Sequence, residues 1–150
     1  MLNESVTLYR KIIINQYDLS IYYMAIGDII CFPSFSSTST IRDFIPSNYA
    51  MNVNNIYNEK EKITVEMVLK YNHSSKYFPP GMILRNFSSI KKEKEILLFP
   101  FTFIKVKSIH NIGKQDYELH GQIINKNCIL EFGLKKGKKV ILENDILTLQ

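Results

Sequence analysis

Apolar residues in this chain gather in short runs separated by turn-forming residues, and within the longer runs they alternate with polar ones. Successive side chains of an extended strand point to opposite faces, so this alternation predicts strands that bury one face. VTLYRKIII, dominated by β-branched and aromatic residues, reads as a first strand, and ITVEMVLKY as another with Ile63, Val65, Met67 and Leu69 on one face. DIICFPSFSS reads as a strand interrupted by Pro33, and PPGMILRNF as a turn followed by an extended stretch. EILLFPFTFIKVKSI is apolar on both faces up to Pro100 and then alternates through Phe101, Phe103 and Lys105. It predicts a central strand whose proline marks the join to a continuation or a neighbour. YELHGQIIN, CILEFGL and VILENDILTL follow as hairpin-like segments, with turns at 125–127 and at KKGKK. One stretch, YDLSIYYMA, reads as a short helix opened by Asp18 as its cap and ended at Gly27. Strands thus outnumber helices, and the expected class is α+β: a β-rich, antiparallel or mixed sandwich with one or two short helices.

Composition narrows the picture. The 150 residues are 45% hydrophobic, which suits a single domain over 1–150 with a core of its own. No internal repeat and no Pro/Gly/Ser-rich linker divides it. There is no run of about 18 apolar residues to span a membrane. The opening MLNESVTLYR lacks the basic-then-apolar layout of a signal peptide. The expectation is a soluble, intracellular and cytoplasmic chain with no membrane partner. Cys31 and Cys128, both in apolar strand-like surroundings, agree with a reducing compartment better than with a disulfide scaffold.

The net charge of +5 raises the question of nucleic acid. Its lysines cluster at Lys91, Lys92 and Lys94 and at Lys135, Lys136, Lys138 and Lys139, with no arginine-rich helix or basic–aromatic repeat beside them. They read as solvated turns, and no nucleic-acid partner is expected. His73, His110 and His120 lack metal-ligand spacing, and two cysteines do not complete a zinc set, so no metal is expected.

Three features carry candidate chemistry. Glu93 and Glu95, at positions i and i+2 of an extended chain, would share a face about 6.5 Å apart while Lys94 points away. Desolvation beside an apolar strand and like-charge proximity both raise a carboxylate's pKa towards useful acid–base values; alone, KKEKE is more simply a charged turn. Phe35-Ser36-Ser37-Thr38-Ser39-Thr40 offers hydroxyls that both donate and accept, suited to orienting a carboxylate or holding a phosphate-bearing ligand. The same residues are also ordinary turn and cap formers. Arg10 is a lone charge in an apolar strand, where burial without a partner is costly. It therefore calls for a carboxylate of the protein or a ligand phosphate gripped by two bonds.

Taken in order, Tyr9-Arg10, Phe35-x-Ser37-Thr38-Ser39, and Glu93-x-Glu95-Ile96-Leu97 with Pro100 and Phe103-x-Lys105-Val106 beyond, resemble the arginine–serine–glutamate class of mono-ADP-ribosyltransferases, in its arginine-specific Glu-x-Glu form. PPGMILRNFSSIKKEKEILLFP, with Phe87-Ser88, resembles the family's segment leading into that turn. The likeness is strongest over 6–106.

The resemblance implies two small sheets packed around a cleft that holds NAD in a bent conformation. It implies transfer of ADP-ribose from NAD to a protein side chain, arginine by the Glu-x-Glu form, with NAD hydrolysis as a side reaction. Arg10 would hold an NAD phosphate, with Thr38 and Ser39 beside it in the cofactor site, and Ser37 would position Glu95. Glu95 would bond the 2′-hydroxyl of the nicotinamide ribose and favour the cationic sugar formed as nicotinamide leaves. Glu93 would take a proton from the incoming nucleophile. Tyr49 is near the position of an aromatic that stacks on nicotinamide in similar domains, and Phe44 is the other candidate.

The chain also departs from the pattern. Lys11 follows the arginine where similar domains often have a glycine, and Arg10 is reached almost at once, where similar domains carry helices before the first strand. These departures set a second reading beside the enzyme: a catalytically degenerate copy of the fold that binds a protein partner.

Overall fold

The computed structural model describes residues 1–42, 62–84, 95–124, 139–142 and 145–148. The first strand, β1 (Val6–Ile14), pairs along its whole length with β4 (Ile63–Tyr71), antiparallel, with Leu8 opposite Leu69 and Ile12 opposite Val65. The alternation of ITVEMVLKY is realised: Ile63, Val65, Met67 and Leu69 are all buried. Between these strands in sequence lie α1 (Gln16–Met24), β2 (Ile29–Phe32) and β3 (Ser36–Ser39). After β4 come β5 (Gly81–Ile83), β6 (Glu95–Leu98), β7 (Thr102–Asn111), β8 (Asp116–Ile124), β9 (Lys139–Leu142) and β10 (Asp145–Thr148).

The ten strands among the described residues form one hydrogen-bonded ladder in the order β10-β9-β2-β7-β8-β4-β1-β3-β6-β5. Two of its pairs, β2 with β9 and β4 with β8, are parallel, so the sheet is mixed. The expected two packed layers are two halves of this ladder folded over. β2 and β3 stand five steps apart in it, roughly 24 Å in a flat sheet, yet only residues 33–35 join them, a span of at most about 14 Å. The link 99–101 between β6 and β7 imposes the same closure. The stretch read as one strand interrupted by Pro33 is therefore two strands in opposite layers, with the proline in the crossing.

Between the layers lies one apolar core, in which Leu8, Ile12, Ile30, Phe32, Met67, Leu98, Ile104 and Leu119 meet Leu19 and Tyr22 of α1. Close approach there requires Gly121, because a Cβ would lie 2.5 Å from Ile104 Cγ2 and 3.2 Å from Leu69 Cδ2.

The helix begins earlier than its sequence suggested. Asn15, not Asp18, is the N-cap: its side chain accepts from the Asp18 N–H at 2.8 Å, satisfying one of the first-turn donors. Asp18 instead adds negative charge in that turn. Ala25 is the C-cap, and Gly27 follows at φ 85°, its N–H donating to Val106 O at 2.8 Å. CILEFGL, the 125–127 turn and KKGKK up to Lys138 lie outside the described residues.

Candidate functional site

β3 divides its hydroxyls between two faces. Ser36 and Thr38 are buried towards the core, and Thr38 Oγ1 donates to the Ile96 carbonyl at 2.8 Å, fastening β3 to β6. Ser37 and Ser39 take the other face, paired with Leu97 and Glu95 respectively. Ser39 also pairs with Tyr9, so Tyr9, Ser39 and Glu95 stand in one row across β1, β3 and β6. Ser39 Oγ accepts from the Ile41 N–H at 3.0 Å, which sets the turn that follows.

Tyr9–Ser39 is the single bridge between β1 and β3. Past it β1 runs on to Ile14 while β3 runs back to Ser36, and their ladder ends there, so the two strands bound a wedge. Arg10 spans its root. On the interior side of β1, between Leu8 and Ile12, it donates through NH1 to the Ser37 carbonyl at 3.3 Å. Its guanidinium carbon lies 5.5 Å from the centre of the Phe32 ring, in the opposite layer. A carbonyl and a ring face thus offset much of the desolvation that an arginine meets in this position.

Glu95 opens β6, partly exposed, with its carbonyl accepting from the Leu84 N–H at 3.0 Å. Its carboxylate makes no hydrogen bond or ion pair with another described residue. Ser37 shares its face one pair further along the ladder, and the two side chains are not hydrogen-bonded to each other.

The structure thus gathers Arg10, Ser37, Thr38, Ser39 and Glu95 on three neighbouring strands, although 85 positions separate the first from the last. Arg10 reaches the Ser37 backbone rather than its hydroxyl, and leaves β1 on the side opposite to the Tyr9–Ser39–Glu95 row. Glu93, Tyr49 and Phe44 lie outside the described residues, as do Lys91, Lys92, Lys94 and Cys128.

Among solved structures, the chain is similar to the ADP-ribosyltransferase Vis from Vibrio splendidus in complex with agmatine: TM-score 0.64 and 18% identity over 97% of this chain and 59% of that one. The fold is that of the ADP-ribosyltransferases. HopU1 of Pseudomonas syringae pv. Tomato DC3000 matches with TM-score 0.58 and 16% identity over 80% of this chain and 46% of its own. The Salmonella SpvB ATR domain matches with TM-score 0.54 and 19% identity over 80% and 62%. The chain therefore spans less than two thirds of each of these ADP-ribosyltransferase-fold chains. No protein-family model and no curated protein matches it.

Sequence reasoning passed over one cluster close to this ADP-ribosyltransferase-fold wedge. Arg42, three residues beyond Ser39, places Nε 3.0 Å from Glu66 Oε1, pairs through NH2 with Glu118 Oε2, and lies 5.8 Å from the centre of the Tyr9 ring. His120 Nε2 meets the other Glu118 oxygen at 2.5 Å. The charge of Glu66, then that of Glu118, holds the Arg42 guanidinium above its ordinary pKa. Partial burial pushes the Glu118 carboxyl up, but the His120 hydrogen bond and the Arg42 charge outweigh it, so the group sits below the usual carboxylate range. A sequence signal existed: Glu66 is a lone carboxylate inside an apolar strand, as Arg10 is a lone cation inside another.

Elsewhere, a pocket of about 570 Å³ lined by Tyr77, Phe78, Pro80, Phe99, Phe101 and their neighbours contains none of Arg10, Ser37 or Glu95. Its walls are mostly apolar and carry no carboxylate, which the chemistry needs. Among the described residues no group of three or more His, Cys, Asp or Glu could hold a metal ion, and no helix is long and apolar enough to cross a membrane.

Proposed function

We propose that this chain transfers ADP-ribose from NAD to a protein side chain, arginine by preference. The supporting observation is the wedge between β1 and β3, with Arg10 at its root against Ser37 and Glu95 on the adjoining strand. In this reading a guanidinium that can turn from a carbonyl to a phosphate anchors NAD, as bidentate phosphate binding favours arginine over lysine. A carboxylate on the neighbouring strand, free of bonds to other described residues, faces the sugar cation that develops as nicotinamide departs. Charge stabilisation of that kind accelerates reaction only where it grows towards the transition state.

Arginine as acceptor rests on the Glu93-x-Glu95 spacing, with Glu93 as the base that removes a guanidinium proton as the new bond forms. The similar protein Vis is described in complex with agmatine, itself a guanidinium compound. The deciding experiment incubates the purified chain with labelled NAD and polyarginine. Incorporation of label abolished by Glu95→Gln supports the reading, and no NAD consumption at all sinks it.

A second reading, a turnover-deficient interaction module, is favoured by Lys11, a long side chain next to Arg10 at the wedge. Under it NAD would remain intact while a protein partner is retained.

A further inference from the structure

We propose that Arg42 is a positioning residue that sets the opening between β1 and β3, and through it the placement of Ser37 and Glu95 relative to Arg10. β3 is well fastened on one side, by four register pairs and the Thr38 bond to β6, but to β1 by the Tyr9–Ser39 bridge alone. One bridge does not fix an angle between two strands. Contacts on the two faces of the sheet do, and among the described residues there are two: Arg10 to the Ser37 carbonyl on the interior face, and, on the outer face, Arg42, which follows β3 past the bridge and reaches back to Glu66, opposite Lys11.

Arg42 is suited to this. Glu66 and Glu118 stand directly opposite each other in the β4–β8 register, and Lys11 stands opposite Glu66 in the β1–β4 register. Facing like charges are destabilising, and the Glu66 and Glu118 side chains are only 8% and 16% exposed. A guanidinium that bonds Glu118 and lies in ion-pair range of Glu66 is held in place by the cost of leaving two nearly buried carboxylates without a counter-charge. Its plane rests near the Tyr9 ring, and Tyr9 is the β1 partner of the bridge. From Arg42 the constraint passes back along a short turn, fixed by the Ile41 N–H bond to Ser39 Oγ, to the residue opposite Glu95. Among the described residues, the other charged and titratable groups facing the cluster are Lys11 from β1, His110 from β7 and His120 from β8.

The catalytic half of this inference rests on the proposed ADP-ribose transfer; the structural half does not. The test therefore has two arms, run on Arg42→Gln and on the milder Arg42→Lys, which keeps the charge but loses the fork. In the unliganded protein, amide exchange at 37–39 should quicken about tenfold or more in Arg42→Gln while β4 and β8 amides keep their rates, the mark of local rather than global opening. Arg42→Lys should fall between. Adding Glu66→Gln to Arg42→Gln removes the stranded charge, and exchange at 37–39 should stay fast, because neutralisation alone does not restore the grip.

In the second arm, kcat for NAD cleavage should drop about 10- to 100-fold, the usual consequence of a small misplacement of reacting groups. KM for NAD should move little, and Arg42→Lys should recover part of kcat. Uniform quickening over β4 and β8, or full recovery of slow exchange in the double variant, overturns the positioning role. So does an unchanged kcat in a wild-type-active protein. If the wild type cleaves no NAD, the functional reading fails by itself, and the exchange arm still decides the clamp.

Discussion

Ser39 stands directly opposite Glu95 across the β3–β6 ladder, so the end of the hydroxyl-rich strand and the first residue of β6 share a single register pair. This relationship makes Glu95 a fixed charge rather than one end of a loose turn. Replacing it with glutamine keeps shape and pairing but removes the charge. We expect Glu95→Gln to lower NAD cleavage about 10² to 10³-fold, with an unchanged urea midpoint. Steady-state NAD hydrolysis beside a denaturation curve checks both halves, and equal rates in the two proteins exclude Glu95 from the chemistry.

Arg10→Lys separates ligand binding from strand packing. A lysine keeps the charge but loses both the planar fork and the guanidinium's contact with the Phe32 ring. NAD affinity, measured by calorimetry, should fall about tenfold, near 1.4 kcal/mol, while the unliganded fold persists. Unfolding without ligand would instead assign Arg10 to tying the two layers together.

Much of the fold was legible because burial writes itself into alternation. Ile63, Val65, Met67 and Leu69 were assigned to one face by pattern alone, and all four are buried. What sequence could not carry was long-range closure: nothing local in DIICFPSFSS tells that its halves join strands five steps apart. The cap was misplaced because Asn15 and Asp18 have nearly equal capping chemistry, and only backbone geometry chooses between them. In the site, Arg10, Ser37 and Glu95 were marked by motif order. Arg42 was not, because its significance lies in Glu66 and Glu118, which reach it from strands remote in sequence.

Gly121→Ala tests the close packing between β7 and β8. The added methyl would overlap Ile104 Cγ2, at 2.5 Å, and press on Leu69 Cδ2, at 3.2 Å. Overpacking of this kind costs about 1–3 kcal/mol, read as a lower urea midpoint with the slope unchanged. A midpoint equal to wild type would show that Ile104 can turn aside.

Acid should act through Glu118. Its folded-state pKa lies below the ordinary carboxylate value, so its contribution to stability is fully present above that value, about 4.3. It is lost as pH falls through the lower, folded-state pKa. The stability of wild type should therefore fall below about pH 4.5 more steeply than that of Glu118→Gln. Urea midpoints of both proteins from pH 7 to 3 give the comparison, and parallel curves would remove Glu118 from the acid response.

The position of β2 in the ladder has a consequence for how the chain is made. Its four residues, Ile29 to Phe32, are all buried, yet its neighbours come late: β7 follows about 70 residues on and the parallel partner β9 about 110. Until both arrive, an apolar strand presents unpaired N–H and C=O groups along two open edges, a template for any other chain at hand. Pairings so distant are also slow to form. Refolding yield should therefore fall as protein concentration rises, and a chain shortened before 139 should collect in aggregates, because the β9–β10 hairpin is the cover that closes the β2 edge.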